Sequence, residues 1–183
     1  MLWKLYSISG GIQMAKVAFL LDTDFEDSEM KNPYEAIKNE GHEVVIIGNE
    51  KGYTCKGKKG TIEYITELSS EEALNEVFDA VIIPGGSAPE ALRVNDVTIE
   101  FVKKLNESNK LLAGICHGPQ VMISANAIQG KNVTCYKGIR DDVKNSGANY
   151  LDEEVVVSKN IITSRTPQDE PAFIREVLAY IQK

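Results

Sequence analysis

Short apolar runs recur down this chain: "KVAFLL" from Lys16, "HEVVIIG" from His42, "DAVIIPGG" from Asp79 and "LLAGIC" from Leu111, with amphipathic stretches of helical spacing between them. That alternation is the pattern of βαβ units, and it predicts an α/β fold around a mostly parallel sheet. The 183 residues suffice for one well-filled core and not for two, and a hydrophobic fraction of 43% beside a charged fraction of 26% is ordinary for a globular chain. A single domain over residues 14–183 follows.

Local signals place the elements. Lys16–Leu21 reads as the first strand. Asn32, Pro33 and Glu35 supply an N-cap, a proline at the first helical position and a first-turn acid, so the first helix is predicted to start there and to stop at Gly41. "YTCKGKKGTIEYI" has the alternation and central glycines of a small hairpin, and "EEALNEVF" reads as a short helix. A helix over Val97–Asn106 precedes the "LLAGIC" strand, and the helix after that strand is expected to run to about Ala127. "KNVTCY" reads as a strand, "RDDVKNSG" as a short helix, and "EVVVSKNIITS" as two strands about Lys159-Asn160. Thr166-Pro167 opens a final helix whose apolar face is Phe173, Ile174, Val177, Leu178 and Ile181.

Several function classes fall away. A formal net charge of -7 argues against a nucleic-acid footprint and against an anionic membrane surface. Cys55, Cys116 and Cys135 are odd in number and lack CxxC spacing, which speaks against a disulfide framework or a zinc ribbon and for a reducing cytoplasm. The histidines, His42 and His117, are far apart without other ligand types at metal spacing, so no metal or other cofactor is expected. No membrane-spanning or secretory segment is evident at the N-terminus, where Ser9-Gly10-Gly11-Ile12-Gln13 before Met14 resembles a translated ribosome-binding site. Residues 1–13 are therefore expected to be a non-native extension.

The chemistry concentrates where "LLAGIC" meets "HGPQ". Gly114-Ile115-Cys116-His117-Gly118 is the thiol counterpart of a nucleophile elbow: a sharp strand-to-helix turn holds the central residue in a strained conformation and projects its side chain off the carboxyl edge of the sheet. The helix N-terminus after it favours thiolate over thiol. Cys116 is thus the candidate nucleophile and His117 the candidate base, His42 reading as a solvated loop residue and Cys55 and Cys135 as buried structural thiols. Glu26, after the first strand, reaches the same sheet edge in a doubly wound sheet. Asp22, Asp24, Asp27 and Glu29 read as an acidic first turn complementing a helix dipole. "PGGSAPE" puts Glu90 near another strand end, with Gly85 and Gly86 as sources of oxyanion-hole amides. Arg165 and Tyr136, at strand ends, are either polar-group binders or structural residues.

With these residues assembled, the chain resembles the PfpI-type intracellular cysteine peptidases of the ThiJ/PfpI superfamily, which includes the parkinsonism-associated protein deglycase. "FEDSE", "DAVIIPGGSAPE", "AGICHGPQVMISA", "GIRDDVKNSGA" and "ITSRTPQDEPAF" carry the likeness in that order, across Ala15–Lys183. The resemblance implies a flavodoxin-like three-layer sandwich related to class I glutamine amidotransferases, Cys116 as nucleophile, His117 as its partner, and Glu26 as a buried acid hydrogen-bonded to the sulfur. It also implies backbone amides of Gly86 and His117 as an oxyanion hole, and Glu90 reaching the histidine of a neighbouring subunit, hence a homo-oligomer. The activity implied is that of a stress-protective deglycase or glutathione-independent glyoxalase acting on small dicarbonyls or on glycated proteins and nucleotides. A cysteine peptidase and an oxidation-responsive chaperone without turnover are the alternatives; a glutamine amidotransferase would need a His late in the chain, and none follows His117.

Overall fold

The structure, a computed structural model, describes residues 13–183. The expected extension at 1–13 lies, but for Gln13, outside the described residues.

Strand β1 (Lys16–Leu20) leads into helix α1 (Asp27–Asn39) and strand β2 (Glu43–Gly48). A hairpin of β3 (Thr54–Lys56) and β4 (Glu63–Ile65) follows, then β5 (Leu68–Ser69), α2 (Ser70–Ala73) and β6 (Ala80–Ile83). Helices α3 (Ala88–Arg93) and α4 (Asp96–Glu107) precede β7 (Leu111–Ile115) and α5 (Pro119–Ser124). The remainder comprises β8 (Asn132–Val133), α6 (Arg140–Asn145), β9 (Asn149–Tyr150), β10 (Val155–Ser158), β11 (Ile161–Ser164) and α7 (Glu170–Ile181).

The main sheet runs β10-β11-β7-β6-β1-β2-β5, parallel except for β10, which pairs antiparallel with β11. β6 and β7 are buried throughout, as strands covered on both faces must be. Phe101, Val102 and Leu105 of α4 pack with Val121 and Met122 of α5 on one face. Met30 and Ile37 of α1 pack with Phe173 and Val177 of α7 on the other. The result is the flavodoxin-like three-layer sandwich. Strand order reverses between β1 and β6, so the loops leaving β1, β6 and β7 converge at one sheet edge, the usual place for a site in such sheets.

Four local expectations are corrected. Helix α1 begins at Asp27, not Asn32, and carries Pro33 in its interior. Phe25 bridges both Gly57 and Gly86, which holds Glu26 extended as the N-cap and lets the helix start directly behind it. Helix α5 ends at Ser124, where Asn126 turns the chain at φ 52°. Only Asn132–Val133 of "KNVTCY" is strand, and it pairs with β9 outside the main sheet while the Thr134 amide donates to Thr163 Oγ1 at 2.9 Å. His42 is buried, not solvated: its Nδ1 accepts the Ala15 amide at 3.0 Å and pins the start of β1.

Candidate active site

Cys116 directly follows β7 with φ at +62°, the strained left-handed conformation expected of an elbow, and its amide donates to the Ser164 carbonyl at 3.0 Å. Gly118 makes the corner possible, since a Cβ there would collide with the Ile83 carbonyl oxygen. Pro119 then occupies the first position of α5, where its missing N–H costs nothing. Cys116 is 9% exposed and opens onto a cleft of about 390 Å³ between the loops after β1, β6 and β7.

His117 Nδ1 lies 3.2 Å from Cys116 Sγ. Its ring stacks on Tyr136, centroids 4.7 Å apart. Burial lowers its pKa against the opposing pull of Glu90, with Lys58 adding to the depression. A neutral imidazole at physiological pH is the result, able to accept a proton. The backbone N–H groups of His117 and Gly86 lie on the sulfur's side of the turn and pull its pKa down. Gly86 holds φ at +80°, and a Cβ there would strike the Asp24 carbonyl oxygen, so this amide reaches the sulfur only because the residue is glycine.

The acid beside the thiol is Glu29, not Glu26. Glu26 is partly buried, and its carboxylate pairs with Lys58 at 3.4 Å at the mouth of the cleft. Glu29, one helical turn further on, is fully buried and accepts the Gly85 amide at 2.9 Å. A Cβ on Gly85 would lie 2.5 Å from Glu29 Oε1 and 2.8 Å from Cys116 Cβ, so the bare glycine lets acid and thiol approach each other. Burial pushes Glu29 up to about 8; the Gly85 amide opposes the shift, the charges of Glu26 and Glu170 reinforce it, and hydrogen bonding with Cys116 opposes it. Burial and then the charge of Glu29 push the Cys116 thiol up to about 12, against the pull of the two amides. The expected depression of the thiol by a helix N-terminus is therefore outweighed, because α5 is only six residues long and the pair shares a dry site that resists two negative charges. A proton on Glu29 relieves the sulfur of its nearest like charge.

Glu90 is exposed on α3 and lines the same cleft, but no hydrogen bond joins it to His117 within the chain. Sequence reasoning passed over Lys58 and the Thr166-Pro167-Gln168 wall of the cleft. Arg165 is structural: it makes paired contacts to Asp169, with Nε at 2.9 Å from Oδ2, and one to Asp152 at 3.0 Å. Cys55 and Cys135 are fully buried and free, as expected. Among the described residues no helix is long and apolar enough to cross a membrane.

The model of the DJ-1/PfpI family matches residues 15–180. The chain is 46% identical over 169 residues to general stress protein 18 of Bacillus subtilis, covering 92% of this chain and 98% of that one. It is 44% identical over 164 residues to protein/nucleic acid deglycase 2 of Escherichia coli, covering 89% and 95%. It is also 46% identical over 163 residues to the putative cysteine protease YraA of Bacillus subtilis, covering 89% and 96%.

Proposed function

The chain belongs to the DJ-1/PfpI family, and from that premise we propose that it is a cytoplasmic cysteine-dependent enzyme acting on reactive dicarbonyls or their early adducts on proteins and nucleotides. The observation that carries this reading is the Cys116 sulfur at the floor of an open cleft with an imidazole nitrogen 3.2 Å away and two backbone amides directed at it. The names of the relatives support enzymes of two kinds, deglycase and cysteine protease. A pocket of about 390 Å³ suits a small carbonyl compound or a single modified side chain better than a stretch of polypeptide.

The residues divide the work as follows. His117, neutral at physiological pH, takes the thiol proton, and the sulfur attacks the aldehyde carbon of the dicarbonyl to form a C–S bond. The carbonyl π electrons move to oxygen, where the Gly86 and His117 amides stabilise the developing oxyanion. The imidazolium returns its proton to that oxygen and a hemithioacetal results. The proton on the former aldehyde carbon then leaves to give an enediol and is returned to the neighbouring carbon, while the hydroxyl proton passes from the former aldehyde oxygen to the former ketone oxygen; the lactoyl thioester so formed is hydrolysed by water to lactate with release of the Cys116 thiol. Glu29, holding its proton, donates a hydrogen bond to the sulfur throughout. Glu90 acts on His117 of a neighbouring copy in a homo-oligomer, a role supported by its exposure at the cleft and by the lack of an internal bond to His117.

Methylglyoxal consumption by the purified chain and by Cys116→Ala, with lactate followed enzymatically, tests the reading. Lactate release that disappears in the variant is expected. Unchanged release in Cys116→Ala, or Cys116-dependent cleavage of casein peptides with no dicarbonyl turnover, would overturn it, the second outcome in favour of a peptidase.

A further inference from the structure

Asp24 lies in the turn after β1 with its side chain exposed and φ at +64°, a left-handed backbone like that of Cys116 across the cleft. It stands before α1, whose first turn begins at Asp27, so it is not an acid of that turn. Its bonds are made by the backbone: the amide donates to the Lys56 carbonyl at 2.8 Å, and the carbonyl accepts the Ser87 amide at 2.9 Å. The Glu26 amide donates to the Gly85 carbonyl at 3.1 Å, and between these two bonds Phe25 bridges Gly86 in antiparallel fashion. In such a bridge the flanking residues make the bonds and the central pair does not, which leaves the Gly86 N–H to the sulfur's side of the turn. A Cβ on Gly86 would collide with the Asp24 carbonyl oxygen and lie 2.6 Å from the Glu26 nitrogen, so the backbone of Asp24–Glu26 rests directly on the Gly86 Cα. The direction of the Gly86 amide is therefore set by the chain laid against it. Aspartate tolerates the left-handed region through its short polar side chain, whereas a β-branched residue does not. With φ negative, the residue could not hold Lys56 with its amide and Ser87 with its carbonyl at once.

We propose that Asp24 is a positioning residue for the oxyanion amide of Gly86, its left-handed backbone and not its carboxylate fixing where that N–H points. This rests on Cys116 as the nucleophile of the function proposed above and deepens it, because it names what aims one of the two oxyanion donors.

The test compares two reagents on the purified full chain, with Cys116→Ala as background for both. In acyl transfer from p-nitrophenyl acetate, His117 takes the thiol proton, the sulfur bonds to the ester carbon, and a tetrahedral oxyanion forms and then expels p-nitrophenolate to leave a thioester. Displacement of iodide from iodoacetamide by the same sulfur forms no oxyanion. The ratio of the two rates thus reads the oxyanion amide and cancels changes in the thiol itself. Asp24→Val is expected to lower that ratio about 30-fold and Asp24→Ala about 5-fold, while Asp24→Asn and Asp24→Gly stay within about twofold of wild type. Melting temperatures are taken alongside, and Asp24→Ala decides the matter should Asp24→Val not fold. An unmoved ratio in the folded Val or Ala variant overturns the inference. So does an Asn variant as low as Val, which would give the work to the carboxylate, or a Gly variant as low as Val. A wild-type ratio no higher than that of free cysteine overturns it as well. Lactate release from methylglyoxal is followed separately: a lowered ratio without lactate release supports the role of Asp24 and sinks the dicarbonyl reading, whereas lactate release with an unmoved ratio sinks the role of Asp24 alone.

Discussion

Cys116 and Cys135 begin from the same physics and end in different surroundings. Both thiols are buried and free, burial pushes both up to about 12, and an acidic neighbour adds to each shift, Glu29 for Cys116 and Asp142 for Cys135. Cys55, with Asp22 near it, is a third case of the same kind. What separates the elbow is geometry: a left-handed φ, two amides directed at the sulfur, an imidazole at 3.2 Å and an opening onto a cleft. Cys135 belongs instead to the closed core beneath α4, α5 and α6. A perturbed thiol is thus no evidence of reactivity by itself. The groups that can receive its proton and stabilise its charge decide the matter.

The largest expected effect breaks that comparison outright. Cys116→Ala should lower dicarbonyl turnover by about a thousandfold or more, while Cys55→Ala and Cys135→Ala should leave kcat/KM within about threefold and cost roughly 1–2 kcal/mol of stability from the small cavities they create. Parallel steady-state kinetics and thermal melts on the three variants check this, and a catalytic loss in Cys135→Ala at full folding would erase the distinction.

Replacing the acid beside the sulfur sharpens the comparison. Glu29→Leu removes the donor and should slow Cys116 alkylation at pH 7 by roughly tenfold. Glu29→Gln keeps a weaker donor, so the rate at pH 7 should stay within a few-fold while the bend near pH 8 disappears. Stability follows with a definite sign. The folded pKa of Glu29, about 8, lies above its ordinary value of 4.5, so folding takes up a proton between those two pH values. Stability is highest below pH 4.5 on this account, is lost as pH rises toward 8, and at pH 7 is lower by about 3 kcal/mol. Glu29→Gln should therefore raise the urea midpoint at pH 7 and have far less effect at pH 4.5. Equal midpoints at both pH values would show that Glu29 is not held protonated. Next in size, Glu90→Gln should lower turnover about tenfold, and mixed oligomers of Glu90→Gln with Cys116→Ala should regain activity above either parent. No regain would place the work of Glu90 within its own chain.

The same pairing of regions shows what a sequence can disclose. The sheet, the elbow and the Gly86 turn were legible because each has a short-range cause: uninterrupted apolar runs, glycines at a corner where a Cβ has no room, and a proline at the start of α5. Glu29 was not, because it reads as one of four acids in a first turn complementing a helix dipole, and a helix taken to start at Pro33 hides the face it belongs to. Its signal was nevertheless present: Glu29, Pro33 and Ile37 recur at four-residue spacing, with Met30 beside them, which places the Glu29 carboxylate on the buried stripe of α1. His42 was misread for the opposite reason, since its partner is the Ala15 amide 27 residues away, and no local pattern announces that contact. Glu170 and Asn32 are more distant still, joined only when α1 and α7 cover the same sheet face.

Tyr136 supplies the smallest effect and the finest test of how the elbow differs from the core around Cys135. It follows Cys135 directly, yet its side chain is 41% exposed, lines the cleft and stacks on His117. Its amide donates to the Cys116 carbonyl at 2.9 Å, so one residue ties the closed segment to the reactive corner through backbone and ring together. The backbone tie survives any side chain, whereas the stack does not. An aromatic pair of this kind contributes about 0.5–1.5 kcal/mol, enough to keep the imidazole facing the sulfur and too little to hold the loop in place. Tyr136→Phe should leave kcat unchanged, and Tyr136→Ala should lower kcat about threefold with its melting temperature nearly unaltered. If Phe were as damaging as Ala, the hydroxyl would be the working part and Tyr136 would belong to substrate binding; if both were silent, the imidazole would be oriented by the sulfur and the elbow alone.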